Sequence, residues 1–411
     1  MPKSLASWLD DLLSTRPVAQ LNSEQRFIKV KEAARRLGLG HFTCPVITVV
    51  GTNGKGSCVA TLAAIYQAAG YKTATVTSPH LITFNERICV DGHMAPDEEI
   101  CEAFAHIAHQ CNDLPLSYFH YATLAGLLIF IQKKPDIIIL EAGIGGNYDV
   151  INVIDADVAL ISTIDLDHCE ILGNTRDEIA TCKMGVARDG KPVICGDPSP
   201  PPSVAAIAAS QHCPYYQLGK AFMFTEKTDD WDWSGPETVY KQLPYPSVLT
   251  QNAASALMAI DVLQSTLAVA ETAIIQGLRD IKLAGRCQII RHHPTVVCDV
   301  AHNPAAVAVL LKKLQSFSAQ GRHFALFGAL RHKNVKAMLT PMKAWVDDWY
   351  LVDLLHPQAM PSQAIAEILA CGQCFNQATE AYEAVMRAAK ANDIIVIFGS
   401  FYIISQLLSV Q

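Results

Sequence analysis

The chain has 411 residues, 50% of them hydrophobic and 17% charged, with a formal net charge of −7. That length and hydrophobic content suit two or three packed domains and exclude a disordered chain, and the acidic balance without a long Lys/Arg run argues against a nucleic-acid footprint. Asp10 and Asp11 interrupt the apolar start, which therefore does not read as a signal peptide, and the longest apolar run, Ala122 to Ile131, is too short to cross a bilayer. A soluble, cytoplasmic protein is expected.

Short apolar strands alternate with amphipathic helices along most of the sequence. Strands are predicted over Pro45 to Val50, Thr73 to Thr77, Ile137 to Leu140 and Val158 to Ile164. Helices are predicted over Gly56 to Ala69, Asp97 to Cys111 and Tyr121 to Gln132. This rhythm implies a mostly parallel sheet with helices on both faces. From Asp197 to Pro246 prolines and tryptophans break the pattern, predicting an extra helix and a small irregular β element. A helix returns at Asn252 to Leu263. After a second break near Gly285 the alternation restarts with Val296 to Val300, Pro304 to Leu314 and Phe324 to Phe327, ending at Ile394 to Phe398. The expected division is an N-terminal domain, 1–284, and a smaller Rossmann-like α/β domain, 285–411. The thirteen cysteines are scattered and odd in number, as in a reducing compartment. Cys371 and Cys374 have C-x-x-C spacing but lack a second pair, so a structural role is the better reading.

The motif Gly51-Thr52-Asn53-Gly54-Lys55-Gly56-Ser57 joins a buried strand to a helix, the context of a phosphate-cradling loop. Glycines let backbone N–H groups converge on an anion, and Lys55 adds positive charge. The loop is shorter than the general P-loop, and Gly56 stands where a metal-binding hydroxyl usually follows the lysine. Ser78, after the second strand, is a candidate to supply that hydroxyl to magnesium; it also fits a strand-ending turn set by Pro79. Glu141 ends a buried strand, where α/β sheets bind ligands, and reads either as a magnesium ligand or as a turn cap. His168 is weakly indicated by its spacing. By itself Lys183 reads as a solvated helix lysine.

Together these residues resemble the dihydrofolate synthase/folylpolyglutamate synthase family, relatives of the Mur amino-acid ligases. GTNGKGS, SPHL with Glu86-Arg87-Ile88, EAGIGG, LDH, KMG, QNAASAL, AGR and DVAHNP at Asp299 to Pro304 fall in family order over nearly the whole chain. The resemblance implies a Mur-ligase-like α/β fold with ATP phosphates on Thr52, Asn53, Gly54, Lys55, Gly56 and Ser57. Further nucleotide contacts would come from Asn252, Arg286 and Asp299. Magnesium, expected as two ions, would sit on Ser78, Glu141 and His168. Lys183 would be an N6-carboxylated lysine, and His302 would face the reacting phosphate. Between two domains holding ATP, closure would be required. The pterin stretch aligns with Ser117, Tyr118, Phe119, His120 and Tyr121, and Tyr148 follows the double glycine; Phe119 and Tyr121 also suit core aromatics. His120 stands where relatives show Glu, Asn147 where they commonly show Arg, and His332-Lys333-Asn334 where they show Asp-Lys-Asp.

The activity so implied is that of a monomeric ATP-dependent ligase. It would activate dihydropteroate or tetrahydrofolate as an acyl phosphate and couple it to L-glutamate, with no nucleic-acid or membrane partner. The departures at His120 and Asn147 keep a Mur-type ligase with another carboxylate acceptor in view. A nucleotide-dependent switch is the rival from outside ligase chemistry.

Overall fold

The computed structural model describes residues 3–14, 21–317 and 321–408. Its chain divides into two compact units after Leu283. Two helices, α1 (Leu5–Ser14) and α2 (Ser23–Arg36), precede the first strand, β1 (Val46–Val50). Then come α3 (Lys55–Ala68), β2 (Thr73–Val76), β3 (Ile88–Val90), β4 (His93–Met94), α4 (Asp97–Gln110), α5 (Tyr118–Lys133), β5 (Ile137–Glu141) and β6 (Val158–Ile161). The unit continues through α6 (Cys169–Leu172), α7 (Arg176–Met184), β7 (Val193–Cys195), α8 (Pro202–Ser210) and β8 (Tyr215–Gln217). Strands β9 (Met223–Glu226), β10 (Trp231–Ser234) and β11 (Val239–Leu243) follow, then α9 (Thr250–Val262) and α10 (Glu271–Asp280).

The eight-stranded sheet runs β4-β3-β2-β5-β1-β6-β7-β8. Six strands from β2 to β8 are parallel, while β3 and β4 add an antiparallel edge. That edge is absent from the sequence expectation, although Asp91-Gly92 announces it. Both residues have positive φ, 53° and 74°, the backbone of a two-residue hairpin turn. Alternation in the central strands explains the two helical layers. Ile47 and Val49 of β1 and Ile137 and Ile139 of β5 face one core with residues of α3, α9 and α10. Their neighbours Val46, Val50, Ile138 and Leu140 face the other, with residues of α1, α2, α4 and α5. The small β9–β11 sheet is anchored by two fully buried tryptophans. Trp231 donates its indole N–H to Pro244 O at 2.9 Å and Trp233 to Ala254 O at 3.0 Å, so neither buried donor is wasted.

Two boundaries differ from expectation for local reasons. Helix α5 begins at Tyr118, not Tyr121, because Ser117 and His120 form a capping box. Ser117 Oγ accepts from the His120 amide at 3.3 Å, and His120 Nδ1 accepts from the Ser117 amide at 3.2 Å. Strand β6 stops at Ile161 rather than Ile164: Ser162 still donates its amide to Val50 O of β1 at 2.9 Å, but Thr163 and Ile164 bond to loops beyond the strand.

In the second unit β12 (Gln288–His292) and β13 (Thr295–Cys298) form a hairpin, followed by α11 (Pro304–Leu314), β14 (His323–Phe327), α12 (Val335–Met342) and β15 (Asp348–Val352). The rest is α13 (Ser362–Leu369), β16 (Gln373–Phe375), α14 (Ala378–Ala388), β17 (Ile394–Phe398) and α15 (Phe401–Leu408). Its six-stranded sheet runs β12-β13-β17-β14-β15-β16, parallel except at β12. Cys371 and Cys374 are both exposed and free, so neither fills a core. No helix among the described residues is long and apolar enough to cross a membrane.

Candidate active site

At the carboxyl end of β1 the chain turns into α3 through Gly54, whose φ of 87° suits glycine. A β-carbon there would collide with the buried side chain of Asn252 on α9, which therefore lies against the loop. The loop is tied sideways to the segment after β6. Thr52 N–H donates to Thr163 O at 2.7 Å and Asn53 N–H to Thr163 Oγ1 at 3.1 Å. These two amides are thereby committed within the protein. The N–H groups of Lys55, Gly56 and Ser57 precede the bond from Cys58 N–H to Gly54 O at 3.0 Å and form the donor-rich start of the helix. Lys55 Nζ rests on Gly51 O at 3.1 Å and Thr52 O at 3.4 Å.

Glu141 is the last residue of β5 and is 5% exposed. Its Oε2 accepts the Ser78 amide at 3.1 Å, which places the β2 and β5 strand ends side by side. The same oxygen lies 3.7 Å from where a β-carbon on Gly56 would stand, so a larger residue at 56 would crowd the carboxylate. Among the described residues no group of three or more His, Cys, Asp or Glu side chains is arranged to hold a metal ion by itself. A strand-end carboxylate with a neighbouring serine, beside a phosphate loop, still fits magnesium-like chemistry, which takes one or two protein oxygens and completes its shell with phosphate and water.

His168 has a φ of 51°, unusual for a residue with a β-carbon, and its ring lies 3.8 Å from Glu170 and 4.0 Å from Asp167. Lys183 is not the solvated lysine its helical setting suggests. It is 2% exposed, and burial followed by repulsion from Lys55 brings its ammonium down to about 7. A neutral amine is then accessible near physiological pH. Nearby Asp149 is also buried, which pushes its carboxyl up to about 6, yet it accepts the amides of Gly143 at 2.8 Å, Ile144 at 3.0 Å and Ile151 at 3.1 Å. It thus holds the loop that follows Glu141. The sequence analysis does not single out Asp149; the available signal was an acid just past a glycine-rich turn, where carboxylates bind loop amides.

Phe119 lies against Gly143, where a β-carbon would clash with its ring, so the start of α5 meets the loop after Glu141. Tyr118 stacks its face toward the Arg87 guanidinium, 5.4 Å away, and Tyr121 packs edge-on against Phe104 at 5.8 Å. Tyr148 is exposed, with its ring 6.1 Å from Phe27. His120 is occupied by the capping box, and burial lowers its imidazole to about 4. Asn147 donates its backbone N–H to Cys182 O at 2.9 Å, next to Lys183. Asn334 caps α12 by accepting the Ala337 amide at 3.2 Å.

Within the second unit Arg286, Asp299 and His302 come together. The Arg286 guanidinium lies 5.4 Å from the Phe401 ring, and the His302 ring lies 5.8 Å from it. Asp299 accepts the amides of Cys287 and Ala301, both at 2.7 Å, fixing the loop that carries His302.

The Mur ligase, glutamate ligase domain family matches residues 285–401. A dihydrofolate synthase/folylpolyglutamate synthase of Escherichia coli is 37% identical over 408 residues, covering 99% of this chain and 95% of that one. The structure of E. coli FolC in complex with DHPP and ADP superposes with a TM-score of 0.95 at 37% identity, covering 99% of this chain and 97% of the other. A bifunctional folylpolyglutamate synthase/dihydrofolate synthase from Yersinia pestis, complexed with AMPPNP and Mn ion, gives 0.93 at 36% identity, covering 99% and 98%.

Proposed function

The chain belongs to the dihydrofolate synthase/folylpolyglutamate synthase family, and from that membership we propose how its residues carry out ATP-dependent glutamate ligation. It is an amide-forming ligase that uses ATP and a divalent metal. Neither a Mur-type specificity nor a nucleotide switch accounts for full-length kinship of this kind. Dihydropteroate is the first acceptor and tetrahydrofolate the second, and the metal is magnesium, as two ions. The enzyme works as a cytoplasmic monomer. Residues 1–284 form the ATP-binding domain and 285–411 the glutamate ligase domain.

One observation carries the site assignment: the Glu141 carboxylate stands at a strand end beside the amide-rich start of α3. Backbone donors from Gly54 to Ser57, with Lys55, hold the β- and γ-phosphates. Thr52 and Asn53 keep that loop in place, and Asn252 supports it from α9. Ser78, Glu141 and His168 would hold magnesium, which supplies charge neutralisation for the transferring phosphoryl group. The acceptor carboxylate attacks the γ-phosphorus in line, giving an acyl phosphate and ADP. Glutamate's amine then attacks the acyl carbon, forming the amide and expelling phosphate. Lys183, neutral within reach of physiological pH, takes up CO2 as a carbamate and so presents an anion toward the metal site. Ser117, Tyr118, Phe119, His120 and Tyr148 flank the pterin. Arg286 and Asp299 are assigned to the nucleotide and His302 to the reacting phosphate on the family pattern.

The test is ADP release with dihydropteroate or tetrahydrofolate, with and without L-glutamate. Turnover should require an acceptor and rise with glutamate. ATP hydrolysis indifferent to both would sink the proposal.

A further inference from the structure

Thr163 has no place in the mechanism above, yet it bonds the nucleotide loop on three sides. Its carbonyl accepts the Thr52 amide at 2.7 Å, its hydroxyl accepts the Asn53 amide at 3.1 Å, and the same oxygen lies 3.1 Å from Asn53 O. Flanking residues extend the seam. Ser162 Oγ donates to Asn53 O at 2.6 Å. Thr52 and Asp165 exchange two bonds: the Asp165 amide donates to Thr52 Oγ1 at 3.0 Å, and Thr52 Oγ1 donates to Asp165 O at 3.1 Å. Five residues past Thr163, the same segment delivers His168.

The seam is also fixed from behind. Buried Asp197 accepts the Ile164 amide at 2.9 Å through Oδ2, and Arg176 donates to that oxygen and to Ile164 O, each at 2.9 Å. Both backbone groups of Ile164 are therefore held by one ion pair, which α7 and the loop after β7 supply. Charge-assisted bonds to a buried carboxylate are the stronger kind. The nucleotide loop and the start of the His168 segment are thus one bonded body.

We propose that Thr163, backed by the Arg176–Asp197 pair, is a positioning residue that couples nucleotide seating at Gly54–Ser57 to metal capture at His168. This rests on the assignment of His168 to the metal site. A nucleotide that settles the loop settles Thr163, and through it the segment leading to His168. A metal ion drawn to His168 favours the nucleotide-ready loop in return, as linkage demands.

The experiment measures Mn2+ affinity from the free-ion electron paramagnetic resonance signal, with and without AMPPNP, on the full chain. Thr163→Val should cut the factor by which AMPPNP tightens Mn2+ about tenfold, the loss expected from two hydrogen bonds. Thr163→Ser should restore it. Arg176→Lys, on a partly exposed side chain, should give a smaller cut in the same direction and covers the case in which Thr163→Val fails to fold. An unchanged coupling factor in Thr163→Val, or in Arg176→Lys should that variant alone fold, overturns the proposal. His168→Ala is measured alongside. If it leaves Mn2+ affinity intact, the metal assignment falls and the coupling with it. If it weakens Mn2+ while Thr163→Val keeps full coupling, the coupling alone falls.

Discussion

Ser78 and Glu141 meet at 3.1 Å, the serine amide donating to the carboxylate from the neighbouring strand end. That bond aims one oxygen and needs no charge, whereas the metal-binding role proposed for Glu141 needs the charge. Glu141→Gln should therefore keep the fold, with an unchanged melting temperature, and lose turnover by at least about a hundredfold, the scale seen when one transition-state electrostatic partner is removed. Steady-state ADP release beside a thermal melt checks both halves.

Lys183 offers a pH signature. Its folded pKa of about 7 lies below the unperturbed value of about 10.4, so burial disfavours the ammonium and the neutral amine gains population as pH rises through 7. Carbamate loading, and with it turnover at limiting bicarbonate, should rise between pH 6 and pH 8. Lys183→Ala should abolish turnover, with partial rescue by short-chain carboxylic acids. Unchanged activity in that variant would remove the carbamate from the mechanism.

His120 gives a stability signature of definite sign. Its folded pKa of about 4 lies below the ordinary 6.5, so between those values the unfolded chain binds more protons than the folded one. Stability at this site is full above pH 6.5 and drains away as pH falls toward 4. His120→Gln keeps an acceptor for the Ser117 amide and does not titrate. Urea melts at pH 7 and pH 5 should show the wild type losing more stability than the variant.

Gly54→Ala meets two penalties at once: a positive φ, costing about 1–2 kcal/mol for a residue with a β-carbon, and the Asn252 side chain. Combining it with Asn252→Ala should recover part of the lost stability, because only the collision is relieved. A double-mutant cycle from denaturant melts reads that coupling, and strict additivity would refute the contact.

Periodicity located most strands and helices because buried parallel strands are short apolar runs flanked by turn residues, as at Ile137 to Leu140 and Ile394 to Phe398. It overran β6 because Ile164 is apolar although its hydrogen bonds go to Asp197 and Arg176 rather than to a strand. The β3–β4 hairpin escaped notice at its two-residue turn, where the cue is backbone conformation rather than hydropathy. Motif residues such as Lys55 and Glu141 are legible because their strand-end context is local. Burial of Lys183 was not, since it depends on what α7 packs against. Nor was the role of Thr163, whose partners lie about 110 residues away in the chain.

On the proposed roles, the repulsion between Lys55 and Lys183 favours one order of events. While no triphosphate rests on Lys55, its charge would add to burial, the larger cause, in lowering the Lys183 ammonium and leaving the amine open to CO2. A triphosphate there would cancel that smaller contribution and let Lys183 hold its proton a little more readily. On those roles, carbamate formation would precede ATP binding, and a cell short of bicarbonate would carry a pool of intact protein that binds ATP but stays idle.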